Sequence, residues 1–506
     1  MKKFASIFFI ILFAQAANAD GFDQIPAVNP LMPQPVPANT IALPVKKATL
    51  THNNIHNVYA LAFERFMQSN VKSAYNDFKV LIESMGENDY VYMKFAENMA
   101  DIGFFDLSEK ASEKVQDKAL SGFLADDIKL YYFPSKKLKA DDEIYLGEVF
   151  SNIIYNDQSK EATDELIKNT TLMSESDYAN YIAALGFLKS NNFIDASKYI
   201  DVAIKMNPQN LNYKKLKAEI LAQGKKPKNA IKIVQSIKEQ KIYSEDFTRK
   251  VNSLEQYVLY KSKKNYSEKM YHLGYYYYYE NELAKSVRTL QGALSNKKKL
   301  NKDIYALLSR VYFDSQDFEK AQEAATRSCK ISNNVTSLIV LGDLSYRAKD
   351  YKSALKYYKS AESNDKNSSA PKIRIAQVYE QIGKNKRALD IYEKVLKTYD
   401  DCYIAYYKIA LSDKSKEIAY LKKAIAINMN FSEAWIDLGR VAYEKEKYID
   451  AKNYLRIANY IDDNNFRSYY YQGLIAKKQG VDSTSYFKKS LSINPNFELA
   501  QKELGI

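Results

Sequence analysis

Apolar residues recur three and four positions apart along most of this chain, and the pattern comes as pairs of segments separated by polar turns. One pair reads Trp435-x-x-Leu438-Gly439 and then Ala451-x-x-x-Leu455-x-x-Ala458. Others read Met270-x-x-Leu273-Gly274-x-x-Tyr277 with Leu290 and Ala293, Leu341-Gly342 with Ala354-x-x-x-Tyr358-x-x-Ala361, and Ile375-Ala376-x-x-Tyr379 with Ala388-x-x-x-Tyr392. This spacing puts one apolar stripe on each of two successive helices. A small residue follows an apolar one midway along the first segment of each pair, at Ala184, Ala218, Gly274, Ser309, Gly342, Ala376, Gly439 and Gly473. The gaps between them are 34, 56, 35, 33, 34, 63 and 34 residues. The 56 is one unit plus a 22-residue insertion, and the 63 is one unit plus a shortened one of 29 whose first helix falls in 403–411. Turn signals stand where the helices should stop, at Asn191-Asn192, Gly383-Lys384, Gly480, Asn207-Pro208 and Asn494-Pro495. The small residue is expected to let the two helices of a pair approach, with an aromatic filling the space beside it.

These marks resemble the tetratricopeptide repeat, a 34-residue helix–turn–helix with the pattern W-x₂-L-G-x₂-Y…A-x₃-F…P. The resemblance covers roughly 177–210 and 267–497. It is looser earlier, where Val58, Leu61, Ala62, Ala74, Phe78 and Leu81 fit one divergent unit. Tyr92, Phe95, Ala96, Gly103 and Phe105 fit a second, and Leu146, Val149, Phe150, Ala162 and Leu166 a third. Most units carry Met, Tyr, Leu or Lys where the family has Trp. The resemblance implies an all-α fold, a right-handed α-solenoid or superhelix of about ten to twelve helix–turn–helix units with a concave and a convex wall. It divides the chain into an N-terminal divergent array over 51–244, a helical joint or hinge over 245–266, a C-terminal array over 267–497 and a capping helix over 498–506 that covers the last apolar face with Leu499 and Leu504.

The start of the chain follows another logic. Met1-Lys2-Lys3, a short apolar run from Phe4 to Phe13 and the small-x-small site Ala17-Asn18-Ala19 have the layout of a signal peptide over 1–19, cleaved before Asp20. No later segment reaches the ~20 apolar residues of a membrane helix. The expected location is therefore exported, periplasmic or secreted, peripheral to a membrane at most. Six of the eleven prolines lie between Pro26 and Pro44, so 20–50 reads as an extended linker. The net charge of +13 is dispersed in predicted turns such as Lys225-Lys226 and Lys297-Lys298-Lys299. In an exported chain this points away from nucleic acid and toward weak, salt-sensitive attraction to anionic surfaces.

Little in the composition supports catalysis. No GxxxxGK[ST] or GxGxxG occurs. His52 and His56 share a helical face, but the intervening residues lack the Glu of HExxH and no third ligand is evident, so no metal and no cofactor are expected. His272 reads as a packed residue. Cys329 and Cys402 lie two units apart, beyond the ~7 Å reach of a disulfide; both are expected unpaired and Cys329 buried. The chain reads as a non-enzymatic scaffold.

Tyrosine stands out, at 43 against 23 Phe and 1 Trp. If the first helix of each pair lines the concave wall, as the resemblance implies, Tyr271, Tyr275 and Tyr278 share that face, followed by Arg310 and Phe313, Asp343 and Tyr346, Gln377 and Glu380, Arg440 and Tyr443, and Tyr470 and Lys477. Tyr and Arg dominate binding hot spots because they combine area with a polar handle. The expected partner is a cell-envelope protein or extended peptide in this groove. The alternative is a glycan, peptidoglycan or exopolysaccharide, stacked on the tyrosines. Tyr277, Tyr358, Tyr379 and Tyr392 belong instead to packing between helices.

Overall fold

The computed structural model describes residues 52–84, 89–117, 120, 128–240, 245–294 and 298–506; the signal-like and proline-rich segments and the side chains of His52 and His56 lie outside that description. The described residues form helices and turns, with no strand among them. The first helices are α1 (His52–Met67), α2 (Val71–Ser84), α3 (Asp89–Asp101), α4 (Phe105–Lys114), α5 (Ala140–Tyr155), α6 (Ser159–Leu166) and the short α7 (Thr170–Glu175). Next come α8 (Asp177–Lys189), α9 (Phe193–Met206), α10 (Leu211–Gln223), α11 (Pro227–Lys238), α12 (Glu245–Ser262), α13 (Tyr266–Tyr279) and α14 (Leu283–Ala293). The chain continues through α15 (Lys298–Asp314), α16 (Phe318–Ile331), α17 (Val335–Arg347), α18 (Tyr351–Asn364), α19 (Ala370–Gln381) and α20 (Asn385–Leu396). It ends with α21 (Tyr403–Ser412), α22 (Glu417–Ile427), α23 (Ser432–Glu444), α24 (Tyr448–Ile461), α25 (Phe466–Lys478), α26 (Thr484–Ile493) and α27 (Glu498–Leu504). Apart from α7, α12 and α27, these helices pack as antiparallel pairs, each against the next, which makes the molecule a solenoid of paired helices.

The small residue of each first helix is where the pair closes. A Cβ on Gly439 would lie 2.7 Å from Leu455, one on Gly274 2.5 Å from Leu290 and one on Gly473 2.5 Å from Phe487, while one on Gly342 would enter the Tyr358 ring. The filler is therefore Leu as often as an aromatic, because any branched or flat side chain of that volume occupies the space left by the missing Cβ. The turn is equally regular. Seven residues after each of the eight small positions stands a left-handed residue: Asn191, Lys225, Asn281, Gln316, Lys349, Gly383, Glu446 and Gly480. Only two of them are glycine, so most units carry the small strain of a side chain at positive φ.

Successive first helices touch one another, as α15 does α17 and α23 does α25, more closely than the second helices of the same pairs. The stack consequently curves toward its first helices, and these line the concave wall. Helix α12 fills the long gap between units; it lies beside α10 and α11 and pairs with α13, which pairs in turn with α14. At the far end, α27 buries Ala500 and packs Leu504 on Tyr470 and Phe487, whereas Leu499 is half exposed. Residues 500 and 504 are one turn apart and share the inner face; Leu499 falls outside it.

The superhelix also brings its N-terminal and C-terminal arrays together. Helix α3 packs against α24, the Tyr90 hydroxyl donates to Asn430 at 2.6 Å, and Lys422 pairs with Asp117 at 2.7 Å. Apolar burial is continuous through this meeting point, linking 62–258 with 407–475.

In the N-terminal array, Glu143 in the first turn of α5 is fully buried and its carboxyl accepts the backbone N–H of Asp106 at the start of α4. Burial, reinforced by the neighbouring Asp106 carboxylate, pushes Glu143 up to about 8 despite that hydrogen bond. A proton retained only by the folded chain makes stability fall as pH rises from the ordinary carboxylate range through about 8. Denaturant midpoints should decline over that interval in the wild type and stay nearly flat in Glu143→Gln; equal slopes in both would show that Glu143 is not the titrating group.

Candidate functional site

The concave wall is built from charge pairs that cross from one unit to the next. On α17, Asp343 is fully buried; it accepts the Tyr358 hydroxyl at 2.7 Å, pairs with Arg374 of α19 at 3.1 Å and lies 3.9 Å from Arg310 of α15. Arg310 also forks onto Asp314, with both contacts at 3.0 Å, and Asp314 accepts the Tyr278 hydroxyl of α13 at 2.8 Å. On α23, the buried Asp437 holds the same kind of centre. It accepts from Tyr407 of α21 at 2.9 Å, Arg440 at 3.1 Å and Arg467 of α25 at 2.6 Å. Arg440 further binds Glu444 and, through its other terminal nitrogen, Glu417. Between the two centres, Lys408 joins Glu380 at 2.8 Å. Each buried aspartate thus ties its own helix to the units before and after it.

This changes what the sequence-derived groove residues do. Arg310, Asp343, Glu380 and Arg440 are mutually neutralised within the wall, so they stiffen it more than they offer charge to a ligand. Lys477 is likewise engaged, with Glu503. Tyr271, Tyr275 and Tyr278 come together as expected. Their rings meet edge to face at 5.5 and 6.3 Å, and they are half buried against the core of α14 and α15. Phe313 lies under the Arg310 guanidinium and against Phe318. Tyr346 leans on Tyr351, and burial pushes its hydroxyl up to about 12. Tyr443 lies between Tyr448 and Tyr471, its ring tilted to both. Tyr470 is only 9 % exposed, wedged against Phe487 and Phe497, and presents almost nothing to the groove. Tyr358 and Tyr392 are buried between helices, Tyr379 is half buried there, and Tyr277 packs with its ring near Lys285.

Arg374, Asp437 and Arg467 are central residues that the repeat register passed over. They sit on first helices at positions the repeat pattern leaves unspecified, Asp437 and Arg374 two residues before the small residue and Arg467 six before it. The register therefore assigned them no role.

Elsewhere, no group of His, Cys, Asp and Glu among the described residues is placed to hold a metal ion, and no helix there is long and apolar enough to cross a membrane. His272 faces Gln256 of α12 at 2.9 Å, and burial lowers it to about 4, which keeps it neutral near pH 7. Cys329 and Cys402 are unpaired and half buried, Cys329 less deeply placed than expected because it lies at the edge of its helix's buried stripe.

Tetratricopeptide-repeat models match residues 307–371 and 345–411. The helix pairs within 307–411 match the tetratricopeptide type. The chain is similar to the anaphase-promoting complex subunit CDC16 of Saccharomyces cerevisiae, at 21 % identity over 72 % of this chain and 45 % of that protein. It is also similar to TPR repeat-containing protein MJ1428 of Methanocaldococcus jannaschii, at 25 % identity over 43 % of each. The chain thus spans less than half the length of either curated relative. Among solved structures, pilF of Pseudomonas aeruginosa aligns over 41 % of this chain and 98 % of its own, with 16 % identity and a TM-score of 0.36. YrrB, described as a TPR protein with an unusual peptide-binding site, aligns over 37 % and 100 % with 20 % identity and a TM-score of 0.28.

Removing the buried Asp437 carboxylate takes from Arg467 its acidic partner while Arg440 keeps Glu417 and Glu444; breaking a buried pair costs ~3–5 kcal/mol, against ~0–1 kcal/mol at the surface. Asp437→Ala should therefore lower the melting temperature of the C-terminal units far more than Glu444→Ala. Similar small losses in both variants would show that the cross-unit centre does not hold the stack.

Proposed function

We propose that this chain is a non-enzymatic scaffold whose concave wall holds a partner protein, or an extended segment of one, in the cell envelope. The observation that carries the reading is the chemical character of the wall. Its charges are spent on one another across units, and what is left facing the groove is a run of half-exposed aromatic edges, from Tyr271 and Tyr275 through Phe313 and Tyr346 to Tyr443. Such a surface offers contact area and hydroxyl handles on a rigid support, with little side-chain entropy to lose. It suits an extended polypeptide laid along successive first helices. The envelope setting rests on the signal-like Met1–Ala19 and the proline-rich tether behind it.

A photo-crosslinking residue at Phe313 or Tyr346 of the full chain, activated in the source cells, should give protein adducts of discrete mass. The same residue at Ile194, on the start of a second helix and 84 % exposed, should give none of them. Adducts of identical pattern from both faces, or adducts only to glycan, would contradict a peptide-binding groove.

A further inference from the structure

Neighbouring units interlock through apolar stripes, reinforced in the C-terminal half by the Asp343 and Asp437 centres. The seam between the N-terminal and C-terminal arrays joins helices far apart in sequence, and beside its apolar contacts it sets acids of the N-terminal units against bases of the C-terminal ones. Asp117 follows α4 and has a side chain only 4 % exposed; it takes Lys422 of α22 at 2.7 Å and the Tyr454 hydroxyl of α24 at 3.3 Å. Asp89 orients it by accepting the backbone N–H groups of Gln116 and Asp117 at 2.7 and 3.0 Å. Lys445 and Lys447 line the cavity on the basic side, together with Asp450. Tyr90 completes the contact through Asn430 and through the Tyr460 ring, whose centroid is 5.6 Å away. The partners are more than 300 residues apart in sequence. Between the two sides a cavity of about 520 Å³ is left open, walled by Asp89, Asp117, Lys422, Leu438, Val441 and Tyr454.

We infer that this seam is a clasp: a charge-latched joint that closes the superhelix on itself and opens as a unit, leaving the helix pairs on either side intact. Three features argue for it. The joint carries an ion pair and hydrogen bonds beside its apolar contacts, and parting it exposes charged and hydroxyl groups that water accepts readily. The cavity means that the two sides are not packed to interior density, so less dispersion energy is lost on separation. The near-complete burial of Asp117 makes its lysine decisive, since an unpaired carboxylate there is relieved by admitting water. The width of the concave space between the two arrays is then set by this joint, with the Lys422–Asp117 pair at its centre. This inference rests on the seam alone and stands or falls independently of what the groove binds.

Small-angle scattering of the full chain tests it. Lys422→Arg, which keeps the charge, should retain the compact wild-type profile. Lys422→Glu, which opposes Asp117 and Asp89, should increase the radius of gyration and the maximum dimension, read as a roughly tenfold or greater rise in the extended population. Helical circular dichroism should stay at the wild-type value. A second variant, Tyr90→Phe with Lys422→Met, adds no buried charge and should extend as well, which covers the case in which Lys422→Glu loses helix. Unchanged dimensions in the folded variants, or equal extension in Lys422→Arg, would overturn the clasp.

Discussion

The close approach of two helices at a single small residue is the constraint from which the rest of this molecule follows. Where Gly342, Gly439 or Gly473 stands on a first helix, the second helix lays Tyr358, Leu455 or Phe487 directly over it. That contact fixes the distance and rotation of the two helices. Fixed pair geometry, repeated at nearly constant spacing, makes each unit present the same apolar faces to its neighbours, and a chain of such units must stack and curve. The left-handed residue seven positions later belongs to the same geometry, since it reverses the chain at the one place that lets the second helix return over the small residue. Six units accept that conformation without glycine, which indicates that packing decides it and local preference does not.

Upon this frame the polar groups perform a second task. Apolar stripes alone permit neighbouring units some freedom to slide or rotate. Asp343 and Asp437, each buried and each bound to groups on the units before and after, remove that freedom at two places in the C-terminal half. The cost of burying these charges is offset only when every partner is in position, so the centres favour a single relative placement of several helices. A rigid wall of this kind keeps its aromatic edges at fixed intervals, the property a scaffold needs in order to hold an extended segment without first ordering itself.

The paired-helix architecture was legible in the sequence because it depends on local spacing: small residues at Gly274, Gly342, Gly439 and Gly473 and apolar positions three and four apart. The identity of the filler was less legible, since Leu290 and Leu455 serve as well as Tyr358 and Phe487. The groove was readable as a face but not as a surface. The register places Arg310, Asp343 and Arg440 on that face, yet whether a charge meets solvent or a partner depends on side chains one unit away, such as Arg374 and Glu417. Tyr470 was misjudged for a related reason: it lies in the last full unit, where Phe487 and Phe497 close over it. The seam between Asp117 and Lys422 had no signal at all, because superhelical pitch accumulates over many units and no local pattern records it.

The small-over-large contact sets the helix pair, and a double-mutant cycle on Gly439 and Leu455 tests this most directly. Gly439→Ala should destabilise by ~1–3 kcal/mol through overpacking and Leu455→Ala by ~2–5 kcal/mol through a cavity. In the double variant the new methyl group enters the space the leucine leaves, so the combined loss should fall short of the summed single losses by ~1 kcal/mol or more in chemical denaturation. Losses that add to within ~0.5 kcal/mol would mean that the two residues do not set the helix pair, and the derivation of the array from that contact would fail.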